Sequence, residues 1–319
     1  MNPQLTGLHH VTAIAGDPQQ NVDFYAGVLG LRLVKQTVNF DDPQSYHLYY
    51  GDGTGSPGTL LTFFAWPHGR RGRPGLGQVT AAALAVGAQS LDFWRERLTA
   101  SGVMLNGPST RFGETVLAFH DPDGMHLELV PTSDDPRECW THGPVPAEHA
   151  IKGVRSVTLP ESSADQTVLL LTETLGFRPV ITAGVGTDGV GTRYALGDNP
   201  ATFADVIFAP NLVSGQIAVG SIHHVAWRTP GDAQQDAWLQ DLAGQGYGVS
   251  PVMDRDYFHS IYFREPGGIL FEIATDPPGF AIDESPETLG QTLQLPPQYA
   301  PMRAQIMAQL PPIRVPGTK

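Results

Sequence analysis

The sequence predicts an α+β fold, in which four βαβββ modules form two cupped mixed β-sheets with flanking helices. Four segments share one plan: an apolar strand, a helical stretch, a glycine followed by an apolar residue, then further strands. Their openings, near Leu8, Val79, Gly153 and Ile222, lie 71, 74 and 69 residues apart. A period of that length exceeds the roughly 20–45 residues of a solenoid repeat. Gly and Pro supply 36 and 28 of the 319 residues, so the chain turns often and its elements are short. Antiparallel strands packed on one face against helices satisfy both observations.

Each helix is read from an apolar stripe and a stop. Val22, Tyr25, Ala26 and Leu29 form the first stripe; Leu91, Trp94 and Leu98 the second; Val168, Leu171 and Leu175 the third. Trp238, Leu239 and Leu242 form a less regular fourth. Gly30, Gly102, Gly176 and Gly246 end them, each at the point where a left-handed turn closes a helix. Apolar or alternating runs at 60–64, 116–119, 126–130 and 269–274 read as strands. A stretch at 131–152, rich in Pro, Asp and His, divides the chain into 1–145 and 146–319, each holding two modules. The tail, 276–319, carries Pro-Pro at 277–278, 296–297 and 311–312 and is expected to wrap the body, with one short helix near 302–310.

Composition narrows the function. The formal charge is −13 and the pI about 5.1, which argues against sequence-independent nucleic-acid binding and against an anionic membrane surface. The first ten residues lack the basic cluster and apolar core of a signal peptide. The longest small and apolar run, 79–88, is about half a membrane span. Cys139 is the one cysteine, so neither a disulfide nor a thiolate metal cluster is expected, in keeping with a cytoplasmic location. There is no Gly-x-Ser-x-Gly, P-loop or His-Glu-x-x-His. The basic loop at 69–75 reads as a solvated linker, and the glycines of 184–191 as a turn between strands.

The modules differ in what they carry at equivalent positions. Counting back 20, 21, 20 and 22 residues from each helix-ending glycine, the first strand presents His10, Ala81, Ser156 and His224. The last strand follows Asp-Pro-Asp-Gly at 121–124 in module two and Glu-Pro-Gly-Gly at 265–268 in module four, leading to Glu128 and Glu272. The corresponding position of module one is Thr62. Two imidazoles and one carboxylate converging in a sheet's concavity suit a non-haem Fe(II) facial triad, with Zn or Mn as weaker alternatives. His10, His224 and Glu272 form such a set, which requires modules one and four to face one another. Glu128, with Ala81 and Ser156 as its partners, reads as a vestigial or salt-bridged residue.

Gly7-Leu8-His9-His10-Val11-Thr12, Ile222-His223-His224-Val225 and Gly267-Gly268-Ile269-Leu270-Phe271-Glu272 resemble the vicinal oxygen chelate superfamily. Tyr46-His47-Leu48-Tyr49-Tyr50, Gly55-Ser56-Pro57-Gly58-Thr59, Thr110-Arg111-Phe112-Gly113 and the tail at 289–312 resemble its ring-cleaving dioxygenases that act on hydroquinones. The resemblance implies an extradiol-type Fe(II) enzyme that opens an aromatic ring with O₂, with His10, His224 and Glu272 as ligands. It also implies that Arg255 and Tyr262 act at the iron, with His9, Thr12 and His223 nearby. Thr12 shares the strand face of His10, whereas His9 and His223 should point away from it in regular strands. Phe40, Tyr46, Phe63, Trp227, Phe258 and Phe271 are the apolar candidates for holding a flat ring. The competing readings are a metal-dependent glyoxalase-type lyase or isomerase and a non-catalytic binding protein for a small aromatic. A homo-oligomer is compatible with all three.

Overall fold

A computed structural model describes residues 3–133, 135–184, 189–197 and 202–315. Four βαβββ modules follow one another. The first holds β1 (Gly7–Ala15), α1 (Pro18–Val22), β2 (Arg32–Asn39), β3 (Asp42–Gly51) and β4 (Leu60–Ala65). The second holds β5 (Ala81–Gly87), α2 (Leu91–Ala100), β6 (Leu105–Arg111), β7 (Glu114–His120) and β8 (His126–Thr132). The third holds β9 (Gly153–Glu161), α3 (Asp165–Leu169), β10 (Phe177–Gly184), β11 (Val190–Leu196) and β12 (Phe203–Phe208). The fourth holds β13 (Ile222–Thr229), α4 (Asp232–Gly244), β14 (Met253–Asp254), β15 (Phe258–Arg264) and β16 (Leu270–Pro278). The expected turn at 184–191 lies partly outside the described residues, but Gly184 and Val190 pair across it. No helix among the described residues is long and apolar enough to cross a membrane.

The four helix-ending glycines all have positive φ, from 71° at Gly30 to 90° at Gly246, so each helix stops where a side chain would be strained. α1 and α3 are shorter than their stripes suggest. Each continues into a wider π-type turn, at Asp23–Val28 and Leu170–Thr174, before its glycine. Tyr25, Leu29, Trp94, Leu98, Leu171, Trp238 and Leu242 are all buried in one contiguous core beneath the sheets.

The strands hydrogen-bond into two eight-stranded sheets that do not follow chain order. Module one joins module four, in the order β14-β15-β16-β13-β1-β4-β3-β2, and module two joins module three, in the order β10-β11-β12-β9-β5-β8-β7-β6. In each sheet the opening strands of two modules meet antiparallel at the centre. The remaining pairings of modules, one with two and three with four, run through the Asp/Glu-Pro-x-Gly turns. Asp121 accepts from the Tyr25 hydroxyl (3.0 Å) and Asp123 from Gly16 N (2.7 Å). Glu265 accepts from the Thr167 hydroxyl (2.6 Å). The loop at 69–75 is exposed along most of its length but is not a free linker: Arg71, Arg73 and Leu76 bridge Val219, Gln216 and Ser214 of the other inter-module linker.

The tail begins later than predicted, because β16 runs to Pro278. Beyond it the chain packs along β2: Leu293 bridges Gln36, and the wholly buried Lys35 ammonium meets Asp283 and Glu284, each at 2.5 Å. Its short helix, α5, spans Arg303–Gln309.

Glu161, at the end of β9, lies against Gly267 so closely that a Cβ there would sit 1.9 Å from Oε2. Its Oε1 is buried without a hydrogen-bond partner, and burial, with Glu265 close by, pushes the carboxyl up to about 8. The folded chain therefore holds a proton that the unfolded chain releases between the ordinary carboxylate range and pH 8, and stability falls as pH rises through that window. Glu161→Gln removes this dependence. It should match wild type near pH 4 and exceed it at pH 9 by on the order of 3 kcal/mol in urea denaturation. A variant no more stable than wild type at pH 9 would contradict this account.

Candidate metal centre

The seam between β1 and β13 builds the site. Leu8 pairs with Trp227 and His10 with Ala226, leaving His9 as an extra residue in β1. Thr12 pairs with His224 and Ala13 with Ile222, leaving His223 as the extra residue in β13. These two bulges overturn the regular alternation expected for His9 and His223, because a bulge re-aims the side chains beside it. His9 Nδ1 lies 2.9 Å from His10 Nδ1, and His223 Nδ1 lies 2.8 Å from His224 Nδ1. Each pair shares one proton between its two Nδ1 atoms, so one ring donates and its neighbour accepts. Burial holds His9 well below the ordinary histidine range and, with His224 beside it, His223 at about 3. Both are neutral and fit the acceptor role toward an Nδ1–H of His10 and His224, the tautomer in which those rings can present Nε2 to a metal.

Those two Nε2 atoms are 3.3 Å apart. Glu272 Oε2, brought in by β16, is 3.3 Å from His10 Nε2 and 2.9 Å from His224 Nε2. All three side chains are buried, Glu272 completely. Its Oε1 accepts from Ser260 at 2.5 Å, whereas Oε2 has no hydrogen-bond partner despite these approaches. Burial would raise this carboxyl, but His10 and His224 hold it well below the ordinary range, so it is a carboxylate. A buried carboxylate oxygen with no hydrogen-bond partner, facing two imidazole nitrogens, is a donor set suited to a cation. Ligand bonds of about 2.1 Å at right angles put donor atoms about 3 Å apart, as these are.

A cavity opens beside His10 and His224, lined also by Thr12, Arg255, Tyr262, Phe258, Phe40 and His47. Arg255 follows β14 in a tight turn in which Asp256 takes φ 60°. Its Nε donates to the Tyr262 hydroxyl at 3.3 Å, and its Nη1 lies 3.6 Å from Asp41. Of the six apolar candidates, Phe40 and Phe258 line the cavity. Tyr46, Phe63, Trp227 and Phe271 are instead buried in the main core, so these four are corrected to packing residues. His9 and His223 do not line the cavity; they touch the inward-facing histidines. Sequence reasoning missed Ser260, His47, Tyr49 and Thr62. Period-two parity could have found the last three: His47 and Tyr49 share a face of β3, and Tyr49 pairs with Thr62, which pairs with Thr12.

The free space in this cavity is about 30 Å³, enough for ordered water and too small for an aromatic ring. A much larger cleft, of about 850 Å³, lies over the second sheet, lined by His120, His126, Thr158 and Phe208. In that sheet Glu128, the counterpart of Glu272, is paired with Arg111, and Arg193 with Asp205 at 2.7 Å. Among the described residues no Asp or Glu lines the larger cleft, so it offers no carboxylate to a metal. Glu128 is the salt-bridged residue the sequence led us to expect.

His223→Leu takes away the acceptor for His224 Nδ1. It should lower metal affinity roughly 10–100-fold, read by competition with a chromophoric chelator. Unchanged affinity would show that His223 does not orient the ligand.

The family model of the Glyoxalase/Bleomycin resistance protein/Dioxygenase superfamily matches residues 7–129 and 153–273. The chain is 48% identical over 318 residues to "Putative ring-cleaving dioxygenase MhqO" of Bacillus subtilis (strain 168), covering 99% of each chain. It is 35% identical over 312 residues to "Chlorohydroquinone/hydroquinone 1,2-dioxygenase" of Sphingobium indicum, covering 95% of each. A crystal structure of a Bacillus subtilis protein described as a "putative dioxygenase" superposes with a TM-score of 0.92 at 47% identity, covering 98% of this chain and 99% of that one. Glyoxalase I from Zea mays, at 15% identity and a TM-score of 0.65, shares the fold. With both matched stretches coinciding with the module pairs and near-complete coverage by these relatives, the chain belongs to the Glyoxalase/Bleomycin resistance protein/Dioxygenase superfamily.

Proposed function

We propose that this chain is a non-haem Fe(II)-dependent dioxygenase that opens a hydroquinone-type aromatic ring with O₂, by extradiol-type cleavage beside a hydroxyl. The observation that carries the reading is the unbonded Glu272 Oε2 facing His10 and His224. Two imidazoles and one carboxylate are the donor set of the Fe(II) facial triad, and relatives named as ring-cleaving dioxygenases align along the whole chain. Fe(II) bound by these three residues would supply a centre that acidifies a phenolic hydroxyl and activates O₂.

The remaining work falls to the protein. Neutral His9 and His223 fix the ring planes of His10 and His224, and Ser260 fixes Glu272. The Arg255 guanidinium stabilises negative charge that develops on the bound ring. Burial, with the Glu272 charge near, raises the Tyr262 phenol above its ordinary value, so it keeps its proton at neutral pH and donates a hydrogen bond. Entry of a ring requires the wall to give. The part able to do so is the β2–β3 hairpin tip, where the half-buried Phe40 and the exposed Asp41 line the cavity. Closure of that tip over a bound ring excludes water.

O₂ uptake by anaerobically Fe(II)-loaded protein should occur with hydroquinone and fall to background in His224→Ala. Metal-dependent turnover of a glutathione hemithioacetal without O₂ uptake would instead place the chain among glyoxalase-type lyases. Stoichiometric binding of aromatics without turnover would make it a binding protein.

A further inference from the structure

Beside the proposed centre runs a buried hydrogen-bonded chain that the reading above does not use. The Tyr49 hydroxyl meets His47 Nδ1 at 2.8 Å, His47 Nε2 meets Thr62 Oγ1 at 3.0 Å, and Thr62 Oγ1 meets Thr12 Oγ1 at 2.8 Å. Thr62 and Tyr49 are completely buried, and His47 nearly so. Burial holds the His47 imidazole well below the ordinary histidine range, so it carries a single N–H. The chain then has four protons, on Tyr49, His47, Thr62 and Thr12, for three links. One proton is left over. When Thr62 relays, donating to one neighbour and accepting from the other, that proton is offered outward at one end, Tyr49 or Thr12, while the opposite end offers an acceptor lone pair. Both ends line the cavity. A buried chain with one surplus donor and one surplus acceptor, both aimed at a cavity, is incomplete until a ligand engages them.

The sheet sets the spacing of those ends. Thr12 shares the strand face of His10. Tyr49 lies in register with Thr12 through Thr62, two strands away, or about 10 Å along the sheet. Tyr262 and Arg255 stand on the other side of the seam, beyond β16. In the curled sheet Tyr49, Arg255 and Tyr262 nonetheless line one cavity, so the far edge of a flat ring with one oxygen at the His10–His224–Glu272 centre lies within reach of Tyr49. Arg255 has its role in the reading above, whereas the hydrogen-bonding capacity at the Tyr49 end is unassigned.

Resting on the proposed ring-cleaving reading, we propose that Tyr49 is the subsite for the second hydroxyl of a para-diol. His47 is the positioning residue that fixes the Tyr49 hydroxyl through Thr62. The pair selects rings that carry an oxygen opposite the one held at the centre.

The test compares hydroquinone with phenol, which lacks the far hydroxyl, by anaerobic calorimetry on the Fe(II)-loaded protein. Wild type should bind hydroquinone more tightly. Tyr49→Phe should erase that preference, loosening hydroquinone roughly tenfold more than phenol. His47→Gln should do the same in part, and in O₂ uptake should raise the KM for hydroquinone more than it lowers kcat. Equal loosening of both ligands, or none, would reduce the pair to a structural role and overturn the proposal. Wild type binding neither ligand would overturn the ring-cleaving reading and this proposal with it. Wild type that binds both ligands equally would overturn the proposal alone.

Discussion

The antiparallel seam between β1 and β13, with one extra residue in each strand, holds the imidazoles of His10 and His224 3.3 Å apart. Without the bulges, consecutive histidines would alternate faces, and only one of each pair would reach the concavity. With them, His9 and His223 turn toward the Nδ1 atoms of His10 and His224, whose Nε2 atoms face inward. The seam also joins module one to module four, so β16 can deliver Glu272 from the far end of the chain. The position of the cavity and of its Arg255–Tyr262 wall follows from that pairing.

The second sheet repeats the architecture and resolves its buried charge differently. It keeps one central bulge, at Arg155 in β9, where Ala83 pairs with Ser156 and Leu84 with Val154. The side chain there is an arginine paired with Glu114 at 2.5 Å rather than a histidine. Glu128 meets Arg111, and Arg193 bridges Glu114 and Asp205. A buried carboxylate must be compensated, because an unpaired ion loses its hydration with nothing in return. In this sheet guanidinium groups do so for Glu114, Glu128 and Asp205. In the first sheet two imidazoles flank the carboxylate and leave one oxygen without a hydrogen-bond partner, the condition of a site that accepts a cation.

Much of this was legible because the chain repeats itself. Aligning helix-ending glycines brought His10 and His224 to one slot and Glu272 to another, and the prediction that modules one and four face one another followed from chemistry alone. The bulges were not legible, since a single extra residue leaves the apolar pattern of 7–15 intact while reversing the direction of His9. The aromatic wall was half read. Tyr46 and Phe271 stand beside His47 and Glu272 in sequence but face the core, because strand neighbours point to opposite faces. His47 and Tyr49 were noted within a motif but given no role for a different reason: the pairing register that sets Tyr49 in the slot of Tyr262, and His47 in that of Ser260, is visible only in the sheet.

The central claim is that the unbonded Glu272 oxygen is a metal ligand. The most direct test is the iron content of the protein after anaerobic reconstitution and desalting, comparing wild type with Glu272→Gln and with Glu128→Gln, its counterpart in the second sheet. Wild type and Glu128→Gln should retain one equivalent of Fe(II) per chain, and Glu272→Gln should retain little. Full retention by a folded Glu272→Gln protein would contradict the account.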